Sequence, residues 1–122
     1  MAFTADDLRM LDQAREVLIE TRAGDGRTYR TVIWIIVDED DVFVRSVRGE
    51  AGRWYQRALA DPSVRIIAGA VTLDATAMPA TDPRSIERAS AGLRRKYRPG
   101  ASLESMLVPD VRPTTLRLEP VA

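Results

Sequence analysis

The chain has 122 residues, enough for one domain with a buried core and too few for two. Eighteen basic and eighteen acidic side chains cancel, and a pI near 6.3 provides none of the field that draws proteins to nucleic acid or to an anionic membrane. There is no cysteine and no histidine, which excludes disulfides, thiolate and imidazole nucleophiles and nearly all zinc chemistry, so no metal is expected.

No apolar run approaches the roughly 20 residues of a membrane span, and Met1 to Leu11 is too charged for a secretory leader. The expectation is a cytoplasmic protein without membrane contact. Seventeen of the basic residues are arginine and only Lys96 is lysine, so a local count of arginines carries little weight by itself.

Thr4 followed by Asp6 and Asp7 reads as a helix cap with acids in the first turn, and predicts a short helix over 5–12. From Arg15 the period becomes two: Val17, Ile19 and Thr21 alternate with Glu16, Leu18 and Glu20, and "AGDG" then turns the chain as a hairpin does. Tyr29 to Asp38, "YRTVIWIIVD", is the most β-prone stretch and is apolar on both faces in its middle, which predicts one central strand covered on both sides.

The acidic run Asp38 to Asp41 lacks the glycine and distal glutamate of a calcium loop and reads as a turn, after which "VFVRSV" returns as a third strand. A glycine-containing turn leads into a short helix at Arg53–Ala60, ended by Pro62. "VRIIAG" and "VTLDATAM" are two more strands around a tight turn at Gly69 and Ala70. Asp82 and Pro83 open the longest helix, with Ile86, Ala89, Leu93 and Tyr97 on one face and Arg94, Arg95 and Lys96 on a solvated one; Pro99 and Gly100 close it. "TTLRLEP" alternates as a last strand. Six strands joined mostly by hairpins, with helices at the crossovers, predict an α+β domain whose antiparallel sheet closes into a small barrel over 15–120; an open αβ sandwich is the alternative.

One stretch stands out for chemistry. "VRGEAGRWYQRALADP", residues 47–62, sets two glycines and three arginines around a Trp-Tyr pair. Glycine lets backbone N–H groups approach a ligand, arginine forks onto phosphate and a helix start points its donors outward, so the stretch reads as an anion cradle. Trp54 and Tyr55 read as the anchor of the helix rather than a ligand platform. Trp34 either fills the barrel or lines a groove at a subunit boundary. "GDGRT" at 24–28 imitates a nucleotide loop but lacks its lysine and spacing, and is a hairpin turn.

The succession "YRTVIWIIVDEDDVFVRS", a glycine turn, "RWYQRALADP", "SVRIIAG", "RRKY" and "TTLRLEP" resembles the FMN-binding split-barrel superfamily, which includes pyridoxamine phosphate oxidases and deazaflavin-dependent nitroreductases. Within it the chain is most similar to a small bacterial family of unknown function, from about Glu16 to Pro120. The resemblance implies a six-stranded antiparallel split barrel. It also implies that Arg30, Thr31, Val32, Ile33 and Trp34 run along a flavin or deazaflavin ring, and that Arg45 and Ser46 reach its phosphate. Ser46, Arg48 and Gly49 take places similar to a Ser-Lys-Gly-Gly turn, with Arg48 for the lysine and Glu50 for the second glycine, and Arg53, Trp54 and Arg57 follow on the helix beside the phosphate.

Two functions follow from that resemblance. One is an oxidoreductase in which FMN or a deazaflavin transfers hydride to or from a small molecule, chemistry that needs neither histidine nor cysteine. The other is a non-catalytic barrel that binds a small ligand or serves as a scaffold. The resemblance and the apolar run Ile33, Trp34, Ile35 and Ile36 both point to a homodimer.

Overall fold

In the computed structural model, which describes residues 3–121, Thr4 starts helix α1 (Ala5–Gln13) as expected, its hydroxyl accepting the amide of Asp7 at 3.0 Å. Strand β1 (Val17–Arg22) buries Val17, Ile19 and Thr21, the residues its alternation selects. It forms a hairpin with β2 (Thr28–Ile33), Thr21 opposite Tyr29.

The run from Tyr29 to Asp38 is not one central strand. It breaks at Trp34 and Ile35 into β2 and a short β3 (Ile36–Asp38), which turns back through Glu39 and Asp40 into β4 (Asp41–Val44). There are therefore seven strands rather than six. The others are β5 (Ser63–Ala68), β6 (Val71–Pro79) and β7 (Leu116–Pro120), in the order β2-β1-β5-β6-β7-β4-β3, every pair antiparallel.

This order forces the shape. β2 and β3 lie at opposite ends of the sheet, which if flat would hold them about 29 Å apart at ~4.8 Å per step. The backbone from Ile33 to Ile36 reaches at most about 11 Å. The sheet must roll until its two edges meet, so the chain itself closes the barrel where no ladder joins β2 to β3 among the described residues. That is the split-barrel fold.

The apolar middle of the broken run is covered within one chain, because β3 and β4 alternate between two cores. Ile35, Val37, Val42 and Val44 point into the barrel with Val17, Ile19 and Leu118. Ile36 and Phe43 face outward against Leu93 and Tyr97 of helix α3 (Pro83–Lys96) and its C-terminal boundary. Gly92 lets α3 lie this close, since a Cβ there would collide with the Ile36 side chain. Asp82 caps α3 by accepting the Ser85 amide at 3.0 Å, and Pro83 occupies its first turn.

Arg88 ties α3 to the acidic turn, donating to Asp38, to Asp41 at 2.8 Å and to the Asp38 carbonyl at 2.9 Å. The turn is thus an arginine-clamped hairpin. Helix α2 (Arg53–Ala60) covers the barrel beside β1 with Trp54, Tyr55 and Ala58 buried. Beyond Gly100 lies a further helix, α4 (Ala101–Ser105), which no pattern in the sequence marks. Among the described residues no helix is long and apolar enough to cross a membrane.

Candidate functional site

Where the sheet edge, the end of β4 and the start of α2 converge, they leave an open cavity of 540 Å³, within the roughly 300–1,000 Å³ typical of small-molecule sites. β2 and the break after it form one wall through Arg30, Thr31, Val32 and Trp34; the segment after β4 forms the floor through Arg45, Ser46 and Arg48. α2 contributes Arg53, Trp54 and Arg57. The proposed site residues thus share one cavity, except Gly49, which is buried and does not line it, with φ +64 and the Asp110 carbonyl oxygen 3.1 Å from where a Cβ would sit.

Arg45 follows directly after β4, and its side chain is 1 % exposed. Its guanidinium donates to Thr115 Oγ1 at 2.8 Å, the Met106 carbonyl at 3.0 Å, the Ile86 carbonyl at 2.9 Å and Ser90 Oγ at 2.9 Å. One side chain thereby joins β4, α3, the end of α4 and the approach to β7. What it presents to the cavity is chiefly charge. Burial, reinforced by Arg112 and Arg94, lowers its pKa to about 10.

Ser46 is likewise engaged internally, its hydroxyl donating to the Gly49 carbonyl at 2.7 Å and its amide to Thr114 Oγ1 at 3.0 Å. Gly52 precedes α2 because a Cβ there would strike Ser46 Oγ. The amide of Gln56 is the first in α2 to find a carbonyl, that of Gly52 at 3.0 Å. The preceding amides, of Arg53, Trp54 and Tyr55, carry the positive end of the helix dipole at the cavity.

The arginines divide by freedom. Arg30 is paired with Glu20 at 3.1 Å. Arg57 is positioned, donating to Thr21 Oγ1 at 2.9 Å with its guanidinium carbon 4.3 Å from the centre of the Tyr29 ring. Arg48 and Arg53 are exposed. Among the described residues none of Arg45, Arg48, Arg53 and Arg57 forms an ion pair, and Glu16 is the sole carboxylate lining the cavity.

Sequence reasoning missed the opposite wall, where α4 and its end supply Ser102, Ser105 and Met106. No periodic apolar pattern marks a five-residue helix. It also misread Lys96 as solvated. The ammonium is half-buried and donates to the Ile35 carbonyl at 2.7 Å and the Leu11 carbonyl at 3.0 Å.

The fold has many solved counterparts. A Listeria innocua protein described as a candidate pyridoxamine 5'-phosphate oxidase superposes with a TM-score of 0.70 at 15% identity, over 96% of this chain and 92% of its own. The heme storage protein HutZ of Vibrio cholerae gives 0.71 at 14% identity, over 100% and 92%. A candidate 5-nitroimidazole antibiotic resistance protein of Bacteroides thetaiotaomicron gives 0.69 at 10% identity, over 100% and 83%. Comparison with curated proteins finds no match. Likeness at this level of identity fixes the fold, and the more specific tie lies in the sequence: residues 7–118 match the family described as uncharacterized proteins conserved in bacteria, DUF2255, and the chain belongs to that family.

Proposed function

We propose that the cavity binds a phosphate-bearing flavin-type cofactor, FMN or a deazaflavin, and that the protein is an oxidoreductase acting through it on a small molecule. The observation that carries this reading is that four guanidiniums without a carboxylate partner among the described residues, those of Arg45, Arg48, Arg53 and Arg57, line one cavity together with the start of α2. Unpaired cations, buried Arg45 and half-buried Arg57 most of all, favour an anion near them, and amides at a helix start add donors for it.

The residues present fit such a group. Arg48 and Arg53, exposed and unpaired, would contact the phosphate; Arg57, held by Thr21 and Tyr29, and buried Arg45 would supply fixed charge behind it. The β2 wall and Trp34 offer backbone and an aromatic face to a planar ring. When bound, such a cofactor supplies hydride-transfer chemistry. The chain would bind, orient and screen it, and the positive charge of the arginines lining the cavity would favour an anionic form.

The same arginines would suit a heme propionate, as the likeness to a heme storage protein invites. A chain without histidine or cysteine, however, has neither imidazole nor thiolate for the iron.

A homodimer belongs to the same proposal. Val32 and Val47 on the cavity rim are 58% and 56% exposed, with Tyr29 next to them, and an apolar rim around a ligand cavity is what a second copy would cover.

Titration with FMN, a deazaflavin and heme, together with sedimentation, tests the reading. Saturable binding of FMN or the deazaflavin supports it. If neither binds at high micromolar concentration, the barrel is a non-catalytic binding or scaffold protein.

A further inference from the structure

Ile35 sits in the gap between β2 and β3, where its backbone has no strand partner. Two consecutive side chains at the end of α3 satisfy it. The Ile35 amide donates to the Tyr97 hydroxyl at 3.1 Å, and its carbonyl accepts from Lys96 Nζ at 2.7 Å. Each side chain also holds a second backbone group: Tyr97 donates to the Arg15 carbonyl at 2.7 Å and Lys96 to the Leu11 carbonyl at 3.0 Å. The strand break, the end of α1 and the entry to β1 therefore meet at one point.

The preceding residue is Trp34, which lines the cavity. Its indole lies flat on the Tyr97 ring, with centroids 3.9 Å apart and planes 5° from parallel. An aromatic side chain at a break in a strand has no ladder to orient it. Here the stack orients the ring while the two polar tips fix the backbone beneath it.

We infer that Lys96 and Tyr97 are positioning residues for the ligand cavity, acting as a two-residue lock that sets the Trp34 wall without touching the ligand. The inference rests on the cavity being a ligand site, as proposed above. Burial brings the Lys96 pKa down to about 8, against a smaller opposing pull from Asp12 on α1. Glu16 and Arg15 face the Tyr97 hydroxyl from the start of β1, and Arg95 adjoins Lys96 on α3. Losing the proton turns two charge-assisted bonds into neutral ones and withdraws a positive charge from an anion-binding molecule, both of which weaken ligand affinity.

The test uses the full chain: Trp34 emission without ligand is read with Trp54→Phe in place, so that Trp34 is the sole tryptophan, and FMN affinity is read by calorimetry with Trp54 retained. Emission should titrate with a midpoint near the Lys96 pKa, and FMN affinity should fall roughly threefold across the same transition, as expected when charge-assisted bonds become neutral. Lys96→Arg should keep the affinity and abolish both pH effects. Tyr97→Phe retains the stack but should weaken FMN binding about tenfold, the effect of orphaning a buried amide and carbonyl.

Should Tyr97→Phe fail to fold, Lys96→Arg and Lys96→Met carry the test. If FMN does not bind yet Trp34 emission titrates in the parent and not in Lys96→Arg, the lock stands and the cofactor reading falls. Flat emission and flat affinity from pH 7 to 9.5 in a protein that binds FMN would overturn the lock.

Discussion

Arg45 and Thr115, 70 residues apart in sequence, are joined in the core by a hydrogen bond of 2.8 Å from Nε to Oγ1. The bond belongs to a fan of four by which one guanidinium fastens α3, the end of α4 and β7 to β4. A charged side chain that reads as a ligand contact in the sequence is thereby part of the scaffold that shapes the cavity.

Arg45→Met should therefore destabilise the fold by at least about 3 kcal/mol, since it orphans several buried acceptors at once. Arg45→Lys should recover little, because one ammonium cannot span acceptors arranged around a planar fork. Urea unfolding of both variants checks this; a Met variant as stable as the parent would show the fan to be energetically idle.

The two free arginines should behave in the opposite way. Arg48→Ala and Arg53→Ala should each weaken FMN binding roughly 10- to 100-fold, the equivalent of a charge-assisted hydrogen bond, and shift stability by no more than about 0.5 kcal/mol. Calorimetric titration paired with thermal melts separates the two quantities.

On the same helix as Arg53, Trp54 is buried and meets Tyr55 edge-on at 6.2 Å. Trp54→Ala should cost about 3–5 kcal/mol, as large core truncations do, and added FMN should restore only part of it. If instead the melt is unchanged and only FMN affinity falls, Trp54 is a ligand platform and α2 is anchored elsewhere.

Stability should depend on pH through the lock. Lys96 releases its proton at about 8 in the folded chain and 10.5 in the unfolded one, so the unfolded state holds more protons in between. Its contribution to stability therefore rises over that window. Burial raises the Tyr97 pKa above 10.0; that contribution is intact below pH 10 and declines as the pH climbs toward the folded value. Chemical denaturation from pH 7 to 11 should show a rise, then a downturn, with the rise missing in Lys96→Met. Affinity for FMN should fall where stability rises, a divergence that a purely structural lysine would not produce.

Local signals in the sequence carried most of the elements. Thr4 and Asp82 mark helix starts because a short oxygen-bearing side chain meets a free amide three residues on, and alternation in β1 separates core from surface without tertiary information. The run 29–38 misled because β2 and β3 have the same β propensity whether continuous or broken. What breaks it is the partner at Ile35, which comes from Tyr97, 62 residues away. Lys96 was illegible for the same reason, its acceptors lying 61 and 85 residues distant. The α4 wall depends on packing alone. By contrast the turn at 45–57 was legible as a cavity lining because its residues are contiguous in the chain.

The long-range ladder from β4 to β7 has a consequence for how the cavity comes into being. The hairpins β1–β2, β3–β4 and β5–β6 each close over a few residues, so they can form early and independently. The Arg45 fan needs Thr115, and β7 pairs with β4 across more than half the chain, Val44 opposite Leu116. Loop-closure entropy delays such a contact. Loop-closure entropy therefore weighs most on the cavity floor, and a chain with its hairpins alone would carry these arginines without the chamber that β7 completes.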